Sequence, residues 1–227
     1  MELEKLRGQV IVSCQALENE PLYSSFIMSK MALAAKEGGA AGIRANSVAD
    51  ITAIKQEVDL PVIGLIKRDY SDSAVYITPT IREVEELLTT SAEIVALDAT
   101  KQERPNREQL PDLLAQIQEA GRLAMADVST LEEAVAADKM GFDLVSTTLA
   151  GYTAYSRKTE TPDFELLAEI IQQVKAPVIM EGHTDQPEQV TKALELGSFA
   201  VVVGSIITRP QVITQKYVAA AKKFQAE

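Results

Sequence analysis

Two short apolar runs, PVIMEG (Pro177–Gly182) and FAVVVGS (Phe199–Ser205), each carry a glycine at or near the carboxyl end, and Glu181 stands at the tip of the first. Glycines there let backbone N–H groups approach an anion, with a carboxylate alongside. Lys67 closes a third such run, PVIGLIKR (Pro61–Arg68). Unperturbed lysine and glutamate titrate near about 10.4 and 4.3, on opposite sides of neutrality. A general acid or base works best near the operating pH. Lowering a lysine by ~3 units takes about 4 kcal/mol of differential interaction. Burial and a nearby cation such as Arg44 can supply it. A Schiff base on Lys67 with a carbonyl substrate is the rival use, and the residues alone leave both open.

Further polar residues collect at the same pole of the chain's apolar runs. They are Gln15, Arg44, Asp98, Asp127, Thr147 and Thr148. Any one of them reads as half of an inert ion pair, Lys67 with Glu181 or Arg44 with Asp127. A ring of charged groups at one pole reads as a site, because buried charges are rare unless paired. Gly182, Gly204 and Ser205 offer donors for a phosphate, and Arg209 follows just ahead of Pro210 and a final helix.

Other chemistries are poorly supplied. His183 is the sole histidine and reads as a solvated or supporting loop residue. No metal site is expected, since no carboxylate cluster has ligand spacing. Cys14 is the only cysteine and reads as an inert core thiol, so no intrachain disulfide forms. Neither a G-x-S-x-G elbow nor a Walker loop is present.

The elements that must position these residues alternate. Eight candidate strands are Gln9–Gln15, Ala41–Asn46, Pro61–Arg68, Glu93–Thr100, Leu123–Ser129, Asp143–Gly151, Pro177–Gly182 and Phe199–Ser205. Candidate helices between and after them are Ser24–Glu37, Val48–Val58, Ile81–Ser91, Arg107–Ala120, Thr130–Met140, Pro162–Val174, Pro187–Leu196 and Gln211–Gln225. Ser129 and Thr130 ahead of Glu132 and Glu133 form an N-cap signal. Gly38, Gly121, Gly141 and Gly197 sit where C′ glycines belong. Eight such units predict an α/β fold, a (β/α)8 TIM barrel, as one catalytic domain over residues 1–227. An open doubly wound sheet is the runner-up, but SCQALENEP stands where its glycine fingerprint would follow the first strand. Two long polar loops, Arg68–Thr80 and Ala150–Asp163, fall on the carboxyl-end side, where function resides.

Composition narrows the partners. Of 227 residues, 46% are hydrophobic but only 5% aromatic, a core of Ala, Val, Ile and Leu such as barrel interiors favour. The net charge of −11 leaves no basic footprint for nucleic acid. The N-terminus MELEKLRGQVIVS has charges where a signal peptide needs an apolar core, and no apolar run reaches membrane-span length. A cytoplasmic protein with no membrane association is expected.

VSCQAL (Val12–Leu17), GIRAN (Gly42–Asn46), PVIGLIKRDY (Pro61–Tyr70), ALDAT (Ala96–Thr100), MADVST (Met125–Thr130), STTLAGYT (Ser146–Thr153) and VVVGSIITRP (Val201–Pro210) resemble the N-acetylmannosamine-6-phosphate 2-epimerases. The resemblance runs through nearly the whole chain, and IKRDY and TLAGYT are its most specific stretches. It implies a cofactor-free reaction that interconverts N-acetylmannosamine 6-phosphate and N-acetylglucosamine 6-phosphate by moving one proton at carbon 2. It implies Lys67 and Glu181 as the acid/base pair. Gln15, Arg44, Asp127 and Arg209 would bind or orient the sugar. Main-chain groups of Gly151, Gly182, Gly204 and Ser205 would hold the phosphate. A homodimer is implied as well. The broad apolar face of the last helix fits that, although the same face could instead cover the barrel's own first and last strands. Met180-Glu181-Gly182-His183 departs from the resemblance, which has Ala before the glutamate and Lys or Arg after the glycine.

Two rival readings remain. One is another phosphate-anchored barrel isomerase. A ribulose-phosphate epimerase needs more histidines, and an indole-glycerol-phosphate synthase more aromatics. The other is a non-catalytic barrel that senses a sugar phosphate.

Overall fold

The computed structural model describes residues 3–225. Eight parallel strands close into one barrel in chain order. They are β1 (Gln9–Cys14), β2 (Gly42–Asn46), β3 (Val62–Leu65), β4 (Ile94–Asp98), β5 (Leu123–Asp127), β6 (Leu144–Ser146), β7 (Val178–Glu181) and β8 (Ala200–Val203). Closure is explicit in the register: β8 pairs with β7 through Met180 opposite Val201, and with β1 through Ile11 opposite Val202. The expected (β/α)8 barrel is the observed fold, so the open-sheet alternative falls.

Helices alternate with the strands. They are α1 (Ser25–Glu37), α2 (Val48–Glu57), α3 (Ile81–Leu88), α4 (Leu110–Glu119), α5 (Leu131–Met140), α6 (Phe164–Gln173) and α7 (Pro187–Glu195). Beyond β8 come a one-turn helix α8 (Ser205–Thr208) and the long α9 (Pro210–Gln225).

Side chains alternate along each strand between two apolar layers. Ile11, Ile94, Ala96 and Val202 fill the barrel interior, while Val12, Val95, Leu97 and Val203 pack beneath the helices. Leu6, on a 3-10 turn (Leu3–Leu6) ahead of β1, plugs the amino end of the interior. Gly64 lets the helical layer come close to β3: a Cβ there would lie 2.9 Å from both Ala92 and Ile51.

Several boundaries differ from the sequence expectation. Each strand is shorter, because hydrogen-bonded pairing stops where the chain turns into its loop. Lys67 lies two residues past β3, in an isolated bridge with Ile77. Helix α4 starts late, after a separate 3-10 turn at Pro105–Arg107. Gly38 is right-handed (φ −74°), and its neighbour Gly39 (φ 92°) takes the left-handed position instead. The expected cap at Thr130 is present: its side chain accepts from the Glu133 N–H, and the Glu133 carboxylate returns to the Thr130 N–H. Helix α9 does not lie flat on its own barrel. Tyr217 is 76% and Phe224 82% exposed.

Candidate active site

The carboxyl ends of the strands open into a cavity of about 420 Å³, within the range of small-molecule sites. Gln15, Arg44, Lys67, Glu181, Gly182, Gly204, Ser205 and Arg209 all line it. Asp127 and Gly151 do not.

Arg44 organises the floor. It is 1% exposed, and its two terminal nitrogens are both committed. One donates to Asp127 at 2.5 Å, and the other to the Glu181 carboxylate and to Thr148 Oγ1 (2.9 Å). Thr148 Oγ1 lies 2.7 Å from Asp127 and 3.1 Å from Glu181, so its single proton favours Asp127. Asp127 is fully buried under this network. Burial pushes its carboxyl up, while Arg44, Thr148 and Lys67 pull it down. Among the described residues Glu181 is held only through Oε2, and its second oxygen has no protein partner.

Lys67 is positioned by its backbone. Its N–H donates to Asn46 Oδ1 (2.8 Å) at the end of β2. The loop after β3 folds back against it: Arg68 N–H donates to the Tyr76 carbonyl and Thr78 N–H to the Ile66 carbonyl. Thr78 adopts φ 44°, which is costly for a β-branched residue, and its hydroxyl donates to the Ala96 carbonyl at 2.7 Å. The Lys67 ammonium makes no ion pair among the described residues. Burial, then Arg44 and Arg209, lower it to about 8, with Asp127 and Glu20 opposing. Sequence reasoning asked for burial and a neighbouring cation, and both are there.

The far wall comes from β7, β8 and their loops. Gly182 needs its left-handed backbone (φ 110°), and Gly204 precedes α8, whose first amides have no helical acceptor. Arg209 is clamped by Glu20, at 2.5 and 2.9 Å, and donates to Ser205 Oγ at 2.9 Å. Burial raises Glu20, but Arg209, the Leu17 N–H and Lys67 outweigh it and hold the carboxyl low. Gln15 donates to Ser13 Oγ (2.9 Å), leaving its buried Oε1 unpartnered.

Some placements sharpen the sequence reading. Gly151 spends its N–H on Ser156 Oγ, and its carbonyl accepts from Lys158. Of the two readings of His183, solvated or supporting, the supporting one fits its surroundings. It is half-buried and stacks on Tyr152 with centroids 5.1 Å apart. Cys14 is fully buried, and burial and Asp50 push its thiol to about 12, so it is inert. Among the described residues no group of His, Cys, Asp or Glu could hold a metal ion. Sequence reasoning missed the Thr148 bridge, the Glu20 clamp and Tyr76. Thr148 was placed at the right pole but without its partners, Tyr76 left a signal only in the length of its loop, and Glu20 left none.

A closed (β/α)8 barrel with titratable side chains gathered in a cavity at its carboxyl-end mouth is an enzyme architecture. The profile of the family described as "Putative N-acetylmannosamine-6-phosphate epimerase" matches residues 28–223. A Clostridium perfringens (strain SM101) protein named "Putative N-acetylmannosamine-6-phosphate 2-epimerase" is 58% identical over 215 residues, 95% of this chain and 97% of that one. A Clostridioides difficile (strain 630) protein of the same name is 56% identical over 218 residues, 96% and 98% of the two chains. The solved structure of the N-acetylmannosamine-6-phosphate 2-epimerase from Clostridium perfringens superposes with a TM-score of 0.96 at 57% identity, covering 97% and 96%. The chain belongs to the N-acetylmannosamine-6-phosphate epimerase family, which makes it an isomerase of the epimerase type.

Proposed function

We propose that this chain interconverts N-acetylmannosamine 6-phosphate and N-acetylglucosamine 6-phosphate by removing and returning the proton at carbon 2. Family membership supports the substrate pair. The observation that carries the chemistry is the position of Lys67 and Glu181, which line one cavity from just past β3 and from the end of β7, strands four places apart in a ring of eight.

Epimerisation beside a carbonyl needs proton transfer on both faces of the carbon. The open-chain aldehyde acidifies carbon 2. Lys67, lowered to about 8, holds a useful share of neutral amine near neutrality and serves one face. The other Glu181 oxygen serves the opposite face, while Arg44 fixes its Oε2. Arg44 and Asp127 orient the carboxylate, and Gln15 and Arg209 line the path of the sugar. Gly182, Gly204 and Ser205 form the phosphate end, with Gly151 in the loop behind. No electrons are transferred, so the reaction needs no redox cofactor, and polarising the carbonyl falls to the cavity's own side chains.

We also propose a homodimer, supported by the exposed apolar face of α9. No helix among the described residues is long and apolar enough to cross a membrane. We propose a cytoplasmic location, which the single cysteine and a phosphorylated substrate fit.

The test is isotope exchange. Incubation with N-acetylmannosamine 6-phosphate in deuterated water should place deuterium at carbon 2 of both epimers, read by NMR. A barrel that only senses the sugar phosphate would bind it and leave carbon 2 protiated.

A further inference from the structure

The long loop after β3 contributes a residue to the cavity that the acid/base reading leaves unused. Tyr76 lines the cavity beside Lys67, and the same two residues also line a second groove on the β1–β3 side. Tyr76 is therefore the wall between the two spaces. Its ring packs on the top of the barrel interior, and its carbonyl accepts from the Arg68 N–H at 3.0 Å, which locks it next to Lys67 in space. Its hydroxyl makes no hydrogen bond to the protein among the described residues.

That free hydroxyl stands out because the stronger donors nearby are engaged. The terminal nitrogens of Arg44 are spent on Asp127, Glu181 and Thr148. Arg209 is spent on Glu20 and Ser205. The proposed reaction gives Lys67 the carbon 2 proton. When that C–H bond breaks, its electron pair becomes the carbon 1–carbon 2 double bond, and the carbonyl pair moves onto oxygen 1. Oxygen 1 is attached to the neighbour of the carbon that Lys67 must touch, so its donor must adjoin Lys67. Such a donor is worth most when it is preorganised and aimed at developing charge.

Resting on the proposed epimerisation, we infer that the Tyr76 phenol donates a hydrogen bond to oxygen 1 and stabilises the enolate formed by proton loss at carbon 2. The groups bearing on the phenol suit a donor that keeps its proton. Burial first, then Asp127, raise it to about 12, with Asp98 and Tyr152 adding and Arg44 opposing. It can share its proton with an enolate without becoming a competing base at neutral pH.

The experiment compares wild type with Tyr76→Phe and Tyr76→Leu, checking each fold by circular dichroism and thermal melting. Tyr76→Phe keeps the packed ring and removes only the donor. Its kcat should fall on the order of 10²-fold with KM changed less than about threefold, the signature of an interaction made in the transition state. Its affinity for the alditol phosphate, which has no carbonyl to enolise, should match wild type in calorimetry. Tyr76→Leu should lose little beyond that. A Tyr76→Phe enzyme with kcat close to wild type, or a loss confined to KM, overturns the inference. So does a loss seen only in Tyr76→Leu, which would make Tyr76 a wall and nothing more. Wild type failing to interconvert the epimers overturns the functional reading itself, and is read without either variant.

Discussion

Lys67, just past β3, and Glu181, at the end of β7, line one cavity from opposite sides of the barrel, yet of the two only Glu181 is ion-paired among the described residues. Arg44 spans the floor between Asp127 and Glu181 and gives each carboxylate a guanidinium nitrogen. The same guanidinium repels the Lys67 ammonium. One cation thus anchors the carboxylate and primes the amine.

The primed amine sets the pH profile. If neutral Lys67 is the base, kcat/KM should rise about tenfold per pH unit below about 8 and level off above it. Lys67→Met should lose roughly 10²–10⁴-fold in rate. It should also melt at a higher temperature at pH 7. The unfolded chain keeps the Lys67 proton up to about 10.4, the folded chain only to about 8. Between those values the unfolded state binds more protons, so stability from this group rises with pH across that window. Below the window the buried ammonium is a standing penalty, which methionine removes. A flat rate profile from pH 6 to 9, or a Lys67→Met protein less stable than wild type, would contradict this.

Glu181→Gln separates a two-base mechanism from a one-base mechanism. Glutamine keeps the volume but cannot carry a proton on and off. With two bases, the variant should stop epimerising yet still exchange the carbon 2 proton of the epimer that Lys67 serves. Deuterium incorporation into each sugar phosphate, followed separately by NMR, reads the difference. Equal loss of both activities from both epimers refutes the two-base assignment.

The buried pair beneath the site makes a stability prediction. Asp127→Asn keeps the shape but leaves half of Arg44's charge compensation to Glu181 alone. Breaking a buried ion pair costs about 3–5 kcal/mol, and asparagine can still accept a hydrogen bond, so about 3 kcal/mol is expected. Urea unfolding at pH 7 measures it, and a change under 1 kcal/mol would mean the pair is not charge-coupled.

The barrel was legible because parallel strands buried on both faces are nearly all apolar, as AVVV in β8 is and as β4 is up to its terminal Asp98. Their ends were overdrawn because composition does not mark where pairing stops. Lys67 continues the PVIGLIKR run but sits in a bridge to Ile77, not in β3. The ring of polar residues could be placed at one pole, since strand polarity alone puts them there. Their partners could not: Arg209 reaches Glu20 across 189 positions, and no local spacing encodes that contact. Tyr76 lay in a loop whose length was noticeable but whose residues carry no periodicity.

Chelation tests the chemistry from another side. Full activity is expected after exhaustive EDTA treatment, with no nucleotide added. Proton transfer beside an aldehyde needs a base and a donor to the enolate, and this cavity holds side chains for both. Activity that vanishes with chelation and returns with a divalent ion would overturn that account.

Helix α9 gives the last prediction. Tyr217, Val218 and Phe224 are 76%, 45% and 82% exposed, whereas most apolar side chains of the shorter barrel helices are covered, Phe26 of α1 being the main exception. An exposed apolar stripe on a long helix marks an interaction surface. A second copy of the chain is the occupant we propose, and a symmetric dimer buries the stripe on both partners at once. Light scattering at micromolar concentration should therefore give twice the 24.6 kDa chain mass. Charge placed on the stripe, as in Tyr217→Glu with Phe224→Glu, should shift the mass toward one chain. The catalytic cavity should be disturbed little, since neither residue lines it. A wild-type mass near that of a single chain would leave the stripe exposed in solution and remove the dimer.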